Sequence, residues 1–453
     1  MQANSEPAQL VLQRKSLFWR IHFWAAMIAS PFAVIASLTG LLYVFTPQIE
    51  AVLHGHLDTV TAQGQRLPLD DSVKAAQAAA PEGMRLKSVM PPFEAGDSVR
   101  VDFSPAPSSV SEQPKAASHA GHKAAKEHIE HNRISRNHIV YVDPYTTKVL
   151  GDHAEMDRFN MWSKRLHSSL LQGDNWRWMI ELSASWLMVM LATGVYLWWP
   201  REQSALHRSP SKGRMAWAKW HSWAGVALSV MSLAILLTGL TWSKYAGDQI
   251  KAVRDATGQA SPSAPKGLKS TRVEGGQALG WEQIWQASRK VSPEVSMAMT
   301  APRGSEGVWR ITNFDRSQPT KRFDLHLDAF SAKPLYQSGW EQQTLFGKAT
   351  AVGIPFHRGE FGWWNQLLLV LFGVGVLGST VSGWVMFYKR YQSSRQWMPR
   401  LQNGAWRSAP VGAWLVAAVL LPLMPLLALS ALFVIAMELV WGRMSHNKPV
   451  AMV

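Results

Sequence analysis

Five stretches of the chain run without a charged residue for about the length of a bilayer crossing: 23–45, 182–199, 224–242, 363–388 and 411–437. A hydrocarbon layer about 30 Å thick is crossed by about 20 apolar helical residues, and lipid leaves no partner for an open backbone polar group. A membrane protein, mostly α, is therefore expected. The 453 residues include no cysteine, which excludes disulfides, thiolate metal sites, iron–sulfur clusters, thiol nucleophiles and covalently attached haem. Any redox centre must rely on histidine. A formal charge of +15 would ordinarily raise nucleic acid as a partner, but 23 Trp, 19 Met and only 17% charged residues suit a bilayer better. No nucleic-acid partner is expected. The mean hydropathy of −0.07 is low for a membrane protein because most of the chain lies outside the five stretches.

Short loops rich in Lys and Arg stay on the cytoplasmic side. Arg14, Lys15 and Arg20 precede the first stretch; Arg201, Arg208, Lys212, Arg214 and Lys219 follow the second; Lys389, Arg390, Arg395, Arg400 and Arg407 follow the fourth. The expected order is a cytoplasmic N-terminus (1–16), span one (17–46), an outer domain (47–176) with a His-rich insertion (105–138), span two (177–200) and a cytoplasmic loop (201–219). Span three (220–243), a second outer domain (244–356), span four (357–389), a cytoplasmic loop (390–410), span five (411–441) and a tail (442–453) follow. Span one reads as a retained anchor, too long for a signal sequence. Span five reads first as one long helix kinked near Pro422 and Pro425, with a re-entrant hairpin as the second reading.

The chain is an internal duplication. His22 precedes Thr39-Gly40 by 17 residues, and His221 precedes Thr238-Gly239 by 17. His167 lies 26 residues before Thr193-Gly194, and His357 lies 25 before Ser382-Gly383. Between the spans, Val142-Asp143-Pro144-Tyr145 aligns with Leu327-Asp328-Ala329-Phe330 at a shift of 185, each reading as a hairpin turn. Ahead of each turn stand a short helix (70–80; 281–290) and two strands (85–90 and 99–103; 295–300 and 308–313). The expected architecture is a four-helix transmembrane core from two duplicated halves plus a fifth helix, with two outer α+β domains. Two spans per half give both halves the same topology, hence a pseudo-two-fold axis along the membrane normal.

Such an axis brings equivalent residues face to face, so His22 should meet His221 near the cytoplasmic side and His167 should meet His357 near the outer side. Facing imidazoles are the axial ligands of a bis-His haem, and without cysteine two such haems would be b-type. Trp19, Trp24, Trp217, Trp220 and Trp223 flank the inner pair; Trp162, Trp176, Trp363 and Trp364 flank the outer one. Arg20, Arg165 and Arg358 are propionate candidates, although aromatic belts and snorkelling arginines are also ordinary membrane anchors. Two sites about 33 Å apart along span one would carry electrons across the bilayer.

Weaker signals accompany these. His119, His122, His128 and His131 in the insertion read first as part of a linker and second as a metal-binding tract. His54 and His56 follow span one, where they could line the outer face. Glu181 reads either as a partner of a ligand histidine or as an interface carboxylate. Gly373-x-Gly375-x-x-Gly378 matches a dinucleotide fingerprint but lies inside a span with no preceding strand, so it reads as a helix-packing feature, as do the Thr-Gly and Ser-Gly pairs.

Arg20-x-His22-x-Trp24, Leu166-His167-Ser168-Ser169-Leu170, Thr193 to Pro200, Trp220-His221-x-x-x-Gly225 with Thr238-Gly239, and His357-x-Gly359 with Ser382-Gly383 together resemble the PepSY-associated transmembrane family, the iron-regulated membrane proteins. The resemblance covers about 15–395 and makes the two outer units periplasmic PepSY domains. It implies a bacterial inner-membrane dihaem reductase that releases iron from a ferric siderophore or other ferric chelate. The family's conserved histidines fall on His22, His167, His221 and His357. Some relatives carry a fused flavin and nicotinamide module; nothing here resembles one, so a separate donor, quinol or a cytoplasmic flavoprotein, is implied. Two other classes stand beside this reading: a non-redox PepSY scaffold that binds peptides or a partner, and a metal or siderophore transporter, which the scarcity of charge in the spans disfavours.

Overall fold

A computed structural model describes residues 5–106, 137–199, 213–272, 276–292 and 294–446. The chain forms two compact units: a helical unit of residues 1–42, 166–253 and 367–453, and a sheet-bearing unit of 43–165 and 254–366. Four helices are long and apolar enough to cross a membrane: α1 (Ser5–Val44), α5 (Trp178–Trp198), α6 (Arg214–Leu240) and α10 (Trp363–Ser394).

In the helical unit the tightest packing follows small residues. Ala25 and Ala29 of α1 are fully buried, in one apolar cluster with Trp186 of α5. The glycine series of α10 serves the same purpose. A methyl group at Gly373 would meet Leu41 at 2.9 Å, at Gly375 it would meet Leu228 at 2.3 Å, and at Gly378 it would meet Trp220 at 2.9 Å. The dinucleotide-like spacing is thus a surface for close helix approach.

The segment after α10 departs from the favoured single kinked helix. It is two helices, α11 (Val411–Leu423) and α12 (Pro425–His446), separated at Met424 with φ −127° and ψ 79°. Pro425 supplies no N–H, and the residue before a proline is pushed out of the α region. Both ends of the pair return to the same end of α1. Ahead of α11, Asn403 and Ser408 carbonyls accept from Gln13 and Arg14, each at 2.7 Å. Late in α12, Glu438 accepts from Arg20 at 2.7 and 2.8 Å. The 13 residues of α11 rise about 20 Å, too little for a crossing. The last apolar segment is therefore a helical hairpin.

The sheet-bearing unit also differs from two separate domains. Eight antiparallel strands form one sheet in the order β4-β3-β2-β1-β5-β6-β7-β8. The first half is β1 (Met84–Met90), β2 (Val99–Pro105), β3 (His138–Val142) and β4 (Val149–Ala154). The second is β5 (Met297–Thr300), β6 (Val308–Asn313), β7 (Phe323–Asp328) and β8 (Pro334–Gly339). The halves join where Val89 of β1 faces Met299 of β5, and both residues are fully buried. Helices α3 (Leu69–Ala79) and α8 (Trp281–Val291) cover one face of this shared core. Their N-termini cap each other. Asp70 of α3 accepts from the Trp281 and Glu282 N–H groups, both at 2.9 Å, and Glu282 of α8 accepts from the Leu69 N–H at 2.9 Å. Each carboxylate thereby satisfies donors at the positive end of the other helix. A Cβ at Gly280 would stand 2.6 Å from the Asp70 carboxylate, so the approach needs glycine.

The duplication extends to turn geometry. Asp143 accepts from the Tyr145 N–H at 2.8 Å, and Asp328 accepts from the Phe330 N–H at 2.9 Å. Thr147 and Ala332, equivalent in the repeat, both adopt left-handed φ, 57° and 53°. Three further helices belong to the description that follows: α2 (Thr46–Asp58), α4 (Phe159–Ser169) and α9 (Leu345–Arg358). A fourth, α7 (Tyr245–Ala256), follows α6.

Two predictions follow from this architecture. Because the chain lacks cysteine, Gln402→Cys and Gly442→Cys should be labelled by an impermeant maleimide from the same side of the membrane; opposite sides would restore a spanning helix. Burial would raise the Asp328 carboxyl, but N–H donors from Thr271, Phe330 and Ser331 outweigh it and hold the group below its usual 3.8. Its stabilisation is complete above about pH 4 and is lost as pH falls through the lowered value. Asp328→Asn should therefore flatten the acid side of the melting-temperature profile and cost about 2 kcal/mol at neutral pH.

Candidate functional site: a paired-histidine cavity among the spans

His22 of α1 and His221 of α6 face each other with ring centres 6.3 Å apart and planes at 83°. Each ring is fixed by a neighbouring helix. Nδ1 of His22 lies 3.1 Å from the Met190 carbonyl and 3.0 Å from the Thr193 hydroxyl of α5. Nδ1 of His221 lies 3.1 Å from the Ser379 carbonyl and 2.8 Å from the Ser382 hydroxyl of α10. A carbonyl can only accept, so both Nδ1 atoms carry the proton. The hydroxyls agree, because Thr193 already donates to Val189 at 2.8 Å and Ser382 to Ser379 at 2.7 Å, leaving a lone pair toward the ring. With Nδ1 protonated, the lone pair of each neutral ring is on Nε2, the tautomer of a metal ligand with a hydrogen-bonded outer nitrogen.

The glycine after each hydroxyl residue lies against the ring, tightly at Gly194 and in ordinary contact at Gly383. A Cβ on Gly194 would lie 3.3 Å from Cε1 of His22, and one on Gly383 would lie 3.8 Å from Cε1 of His221. His167 of α4 repeats the pattern. Its Nδ1 is 3.0 Å from the Thr39 hydroxyl, which donates to the Ile35 carbonyl, and a Cβ on Gly40 would stand 3.3 Å from its Cε1. Thr193-Gly194, Ser382-Gly383 and Thr39-Gly40, expected only as packing sites, therefore each lie against a histidine ring. Their recurrence at matched offsets from the histidines was the signal in the sequence. His357 is the penultimate residue of α9, which Gly359 closes in the left-handed conformation at φ 76°.

The histidine pair opens onto a cavity of about 200 Å³ among α1, α5, α6 and α10. Met27, Leu187, Leu228 and Phe372 make apolar walls, and Arg214 and Arg390 contribute cations. The Arg390 guanidinium lies 5.1 Å from the Phe23 ring centre and 5.9 Å from that of Trp19. One arm donates to the Trp397 carbonyl at 2.8 Å, while Nε is buried without a protein partner.

Several expected roles change. Arg20, the inner propionate candidate, is bound by both oxygens of Glu438 and donates to the Pro399 carbonyl at 2.5 Å. Trp24 also donates to Glu438, so both residues fasten the hairpin of α11 and α12. Arg214 and Arg390 are the cations the cavity offers instead. Arg358 donates to the Tyr43 hydroxyl at 2.9 Å and pairs with Glu360 at 2.9 Å. Arg165 lies on α4, two residues before His167. Glu181 touches no histidine ring nitrogen; it accepts the Tyr245 and Ala246 N–H groups at 2.8 and 2.7 Å, capping α7. His54 and His56 lie on α2 of the sheet-bearing unit. His119, His122, His128 and His131 lie outside the described residues. Among the described residues, no three His, Asp or Glu gather as a metal site, so the pair offers a metal ion two nitrogens and an apolar surround.

Glu438→Gln should leave the Arg20 cation buried without its counter-charge and destabilise the protein by about 3 kcal/mol. Thermal unfolding in detergent measures the loss, and the double change Arg20→Met, Glu438→Leu should recover most of it.

No curated protein matches the chain. The family model described as the PepSY-associated TM region matches residues 19–390, which take in most of α1, all of α5 and α6, nearly all of α10, and the whole sheet. With four apolar spans built around paired histidines, the chain belongs to the PepSY-associated transmembrane family.

Proposed function

We propose that this membrane protein is a dihaem electron-transfer protein of the bacterial inner membrane that reduces ferric iron, held as a siderophore or other chelate, on the periplasmic side. Electrons would come from quinol or a cytoplasmic flavoprotein. The observation that carries the reading is the His22–His221 pair, with both Nδ1 protons committed to helix acceptors and both lone pairs placed on Nε2. The basic character of the loops after spans two and four supports placing them in the cytoplasm.

The residues fit a haem. Metal–imidazole bonds of about 2 Å put the ring centres of two opposed ligands about 6 Å apart, and the rings here are 6.3 Å apart. A bare ion would need further donors, whereas a porphyrin brings four nitrogens of its own and asks the protein for two axial ligands, apolar walls and cations for its carboxylates. His22 and His221 would be the ligands, with Arg214 and Arg390 beside the carboxylates. His167 and His357 are the proposed ligands of the second group, His167 oriented by Thr39 in the same way. Haem supplies a one-electron redox couple to a chain whose own side chains include no thiol.

The protein's part is positioning and tuning. Thr193 and Ser382 hold the imidazole planes and strengthen the rings as donors by accepting from Nδ1–H. The lining of the inner site is predominantly apolar, a condition that raises the influence of each nearby dipole on the potential. Outer-sphere reduction of a ferric chelate calls for no nucleophile or general acid, and Fe(II) binds hard oxygen ligands less tightly, which releases the metal.

Purified protein should contain two low-spin b-type haems per chain by pyridine haemochrome and dithionite-reduced spectra. His22→Ala and His221→Ala should remove the same haem, and His167→Ala and His357→Ala the other. Thr193→Val should keep the inner haem but raise its midpoint potential, because a weaker imidazole donor stabilises the ferric state less. A colourless preparation from cells supplied with haem would overturn the proposal in favour of a binding scaffold.

A further inference from the structure

The exposed apolar surface of the sheet-bearing unit is unevenly distributed. Among the described residues, none of its large exposed hydrophobic side chains belongs to a strand, to α3 or to α8. Most lie instead on segments that adjoin a membrane span: Phe45 between α1 and α2, Val52 and Leu53 on α2, Trp162 on α4, and Leu345 and Val352 on α9. Val52 is 84% exposed and Leu345 is 80% exposed, as open as Val230 of the span α6. Apolar surface gathered on one set of elements marks a contact face.

Both helices are two-sided. On α2, Glu50, His54 and Leu57 recur at helical spacing on the inner face. Glu50 accepts from Arg158 at 2.6 Å, the His54 ring centre lies 5.2 Å from that of His153, and Leu57 lies where a Cβ on Gly151 of β4 would meet it at 2.8 Å. Phe45, Gln48 and Val52 occupy the opposite side and are exposed. On α9, Gly347, Ala351 and Pro355 are buried, while Leu345, Ala349 and Val352 form an exposed stripe at i, i+4 and i+7.

Hydrogen bonds at the roots of these helices tie them to the ends of two spans. Gln48 donates to Gln366 of α10 at 2.8 Å, and Gln366 donates to the Val44 carbonyl at the end of α1 at 3.1 Å. Arg358, the last residue of α9, donates to the Tyr43 hydroxyl at 2.9 Å. Trp363 and Trp364, exposed at the start of α10, stand where an aromatic belt meets the edge of the hydrocarbon.

We propose that the outward faces of α2 and α9 lie in the interfacial layer of the bilayer, which makes the sheet-bearing unit a membrane-surface module in its own right. A helix with one apolar face rests in the interface plane with that face among headgroups and upper acyl chains. The occupant is lipid because both helices are rooted at spans that lipid already surrounds and because their exposed stripes are apolar rather than charged. This contact is independent of haem and of any reaction.

The chain has no cysteine, so a single introduced thiol carries a nitroxide label at one place only. The full chain with Val52→Cys or Leu345→Cys is reconstituted in phosphatidylcholine nanodiscs. Lys74→Cys, at an exposed position of α3, is the water reference, and Val374→Cys, within α10, is the lipid reference. Relaxation of the label by oxygen, which concentrates in lipid, is compared with relaxation by a water-soluble nickel chelate. The oxygen-to-nickel ratio at both test sites is expected to shift toward the Val374 value, several-fold above that at Lys74. Side chains this exposed can be replaced without disturbing the packing, so the variants keep the fold. A ratio equal to that at Lys74 would overturn the proposal for the helix that carries the label. Labels shielded from both reagents, with spin–spin broadening that unlabelled chain dilutes away, would overturn lipid as the occupant in favour of a second copy of the chain.

Discussion

A histidine inside a membrane helix must have its ring N–H satisfied by protein, because hydrocarbon offers nothing in its place. Here that requirement is met by a carbonyl and a hydroxyl one helix away, and both partners call for the same tautomer. The consequences reach through the helical unit. Thr193 has Gly194 behind it, where a side chain would press on the His22 ring, and the glycines of α10 against Leu228 and Trp220 let it lie close to α6. Small residues thus set the helix spacings, the spacings set the ring positions, and the rings leave two Nε2 lone pairs facing an apolar cavity.

The largely buried carboxylates of the helical unit, Glu438 and Glu181, are both matched. Arg20 and Glu438 form a bidentate pair that also holds Trp24 and the Pro399 carbonyl. The pair fastens a hairpin that Pro425 prevents from becoming one long helix. Glu181 is 1% exposed, yet it carries no evident redox role because both of its oxygens serve the first N–H groups of α7. In the sheet-bearing unit the same economy appears at Asp70 and Glu282, where each of two helices caps the other, and at Arg158, which gathers Glu50, Asp58 and Tyr141.

Much of this was legible as pattern. The matched offsets of His22 and His221, and the 185-residue shift between Asp143 and Asp328, predicted a duplication, and the structure shows it in the facing rings and in the left-handed Thr147 and Ala332. Strand β6 and helix α8 begin where alternation and helical periodicity place them. Arg20 was misread because an arginine two residues before His22 looks the same in sequence whether it faces a cavity or a carboxylate 418 residues away. The His54–His153 contact had no signal, since it joins a helix to a strand 99 residues later without an echo in the other half.

The sequence by itself determined that the chain enters a membrane, that it is built twice, and that four histidines occupy equivalent positions, because burial pattern and repetition are properties of order along the chain. Tertiary structure alone decided which hydroxyl holds which ring, that two α+β segments share one sheet through Val89 and Met299, and that the last apolar segment turns back on itself. Those outcomes depend on directional contacts between residues far apart in sequence. A hydrogen bond is chosen by distance and angle in space, and neither is written in the spacing of residues along the chain.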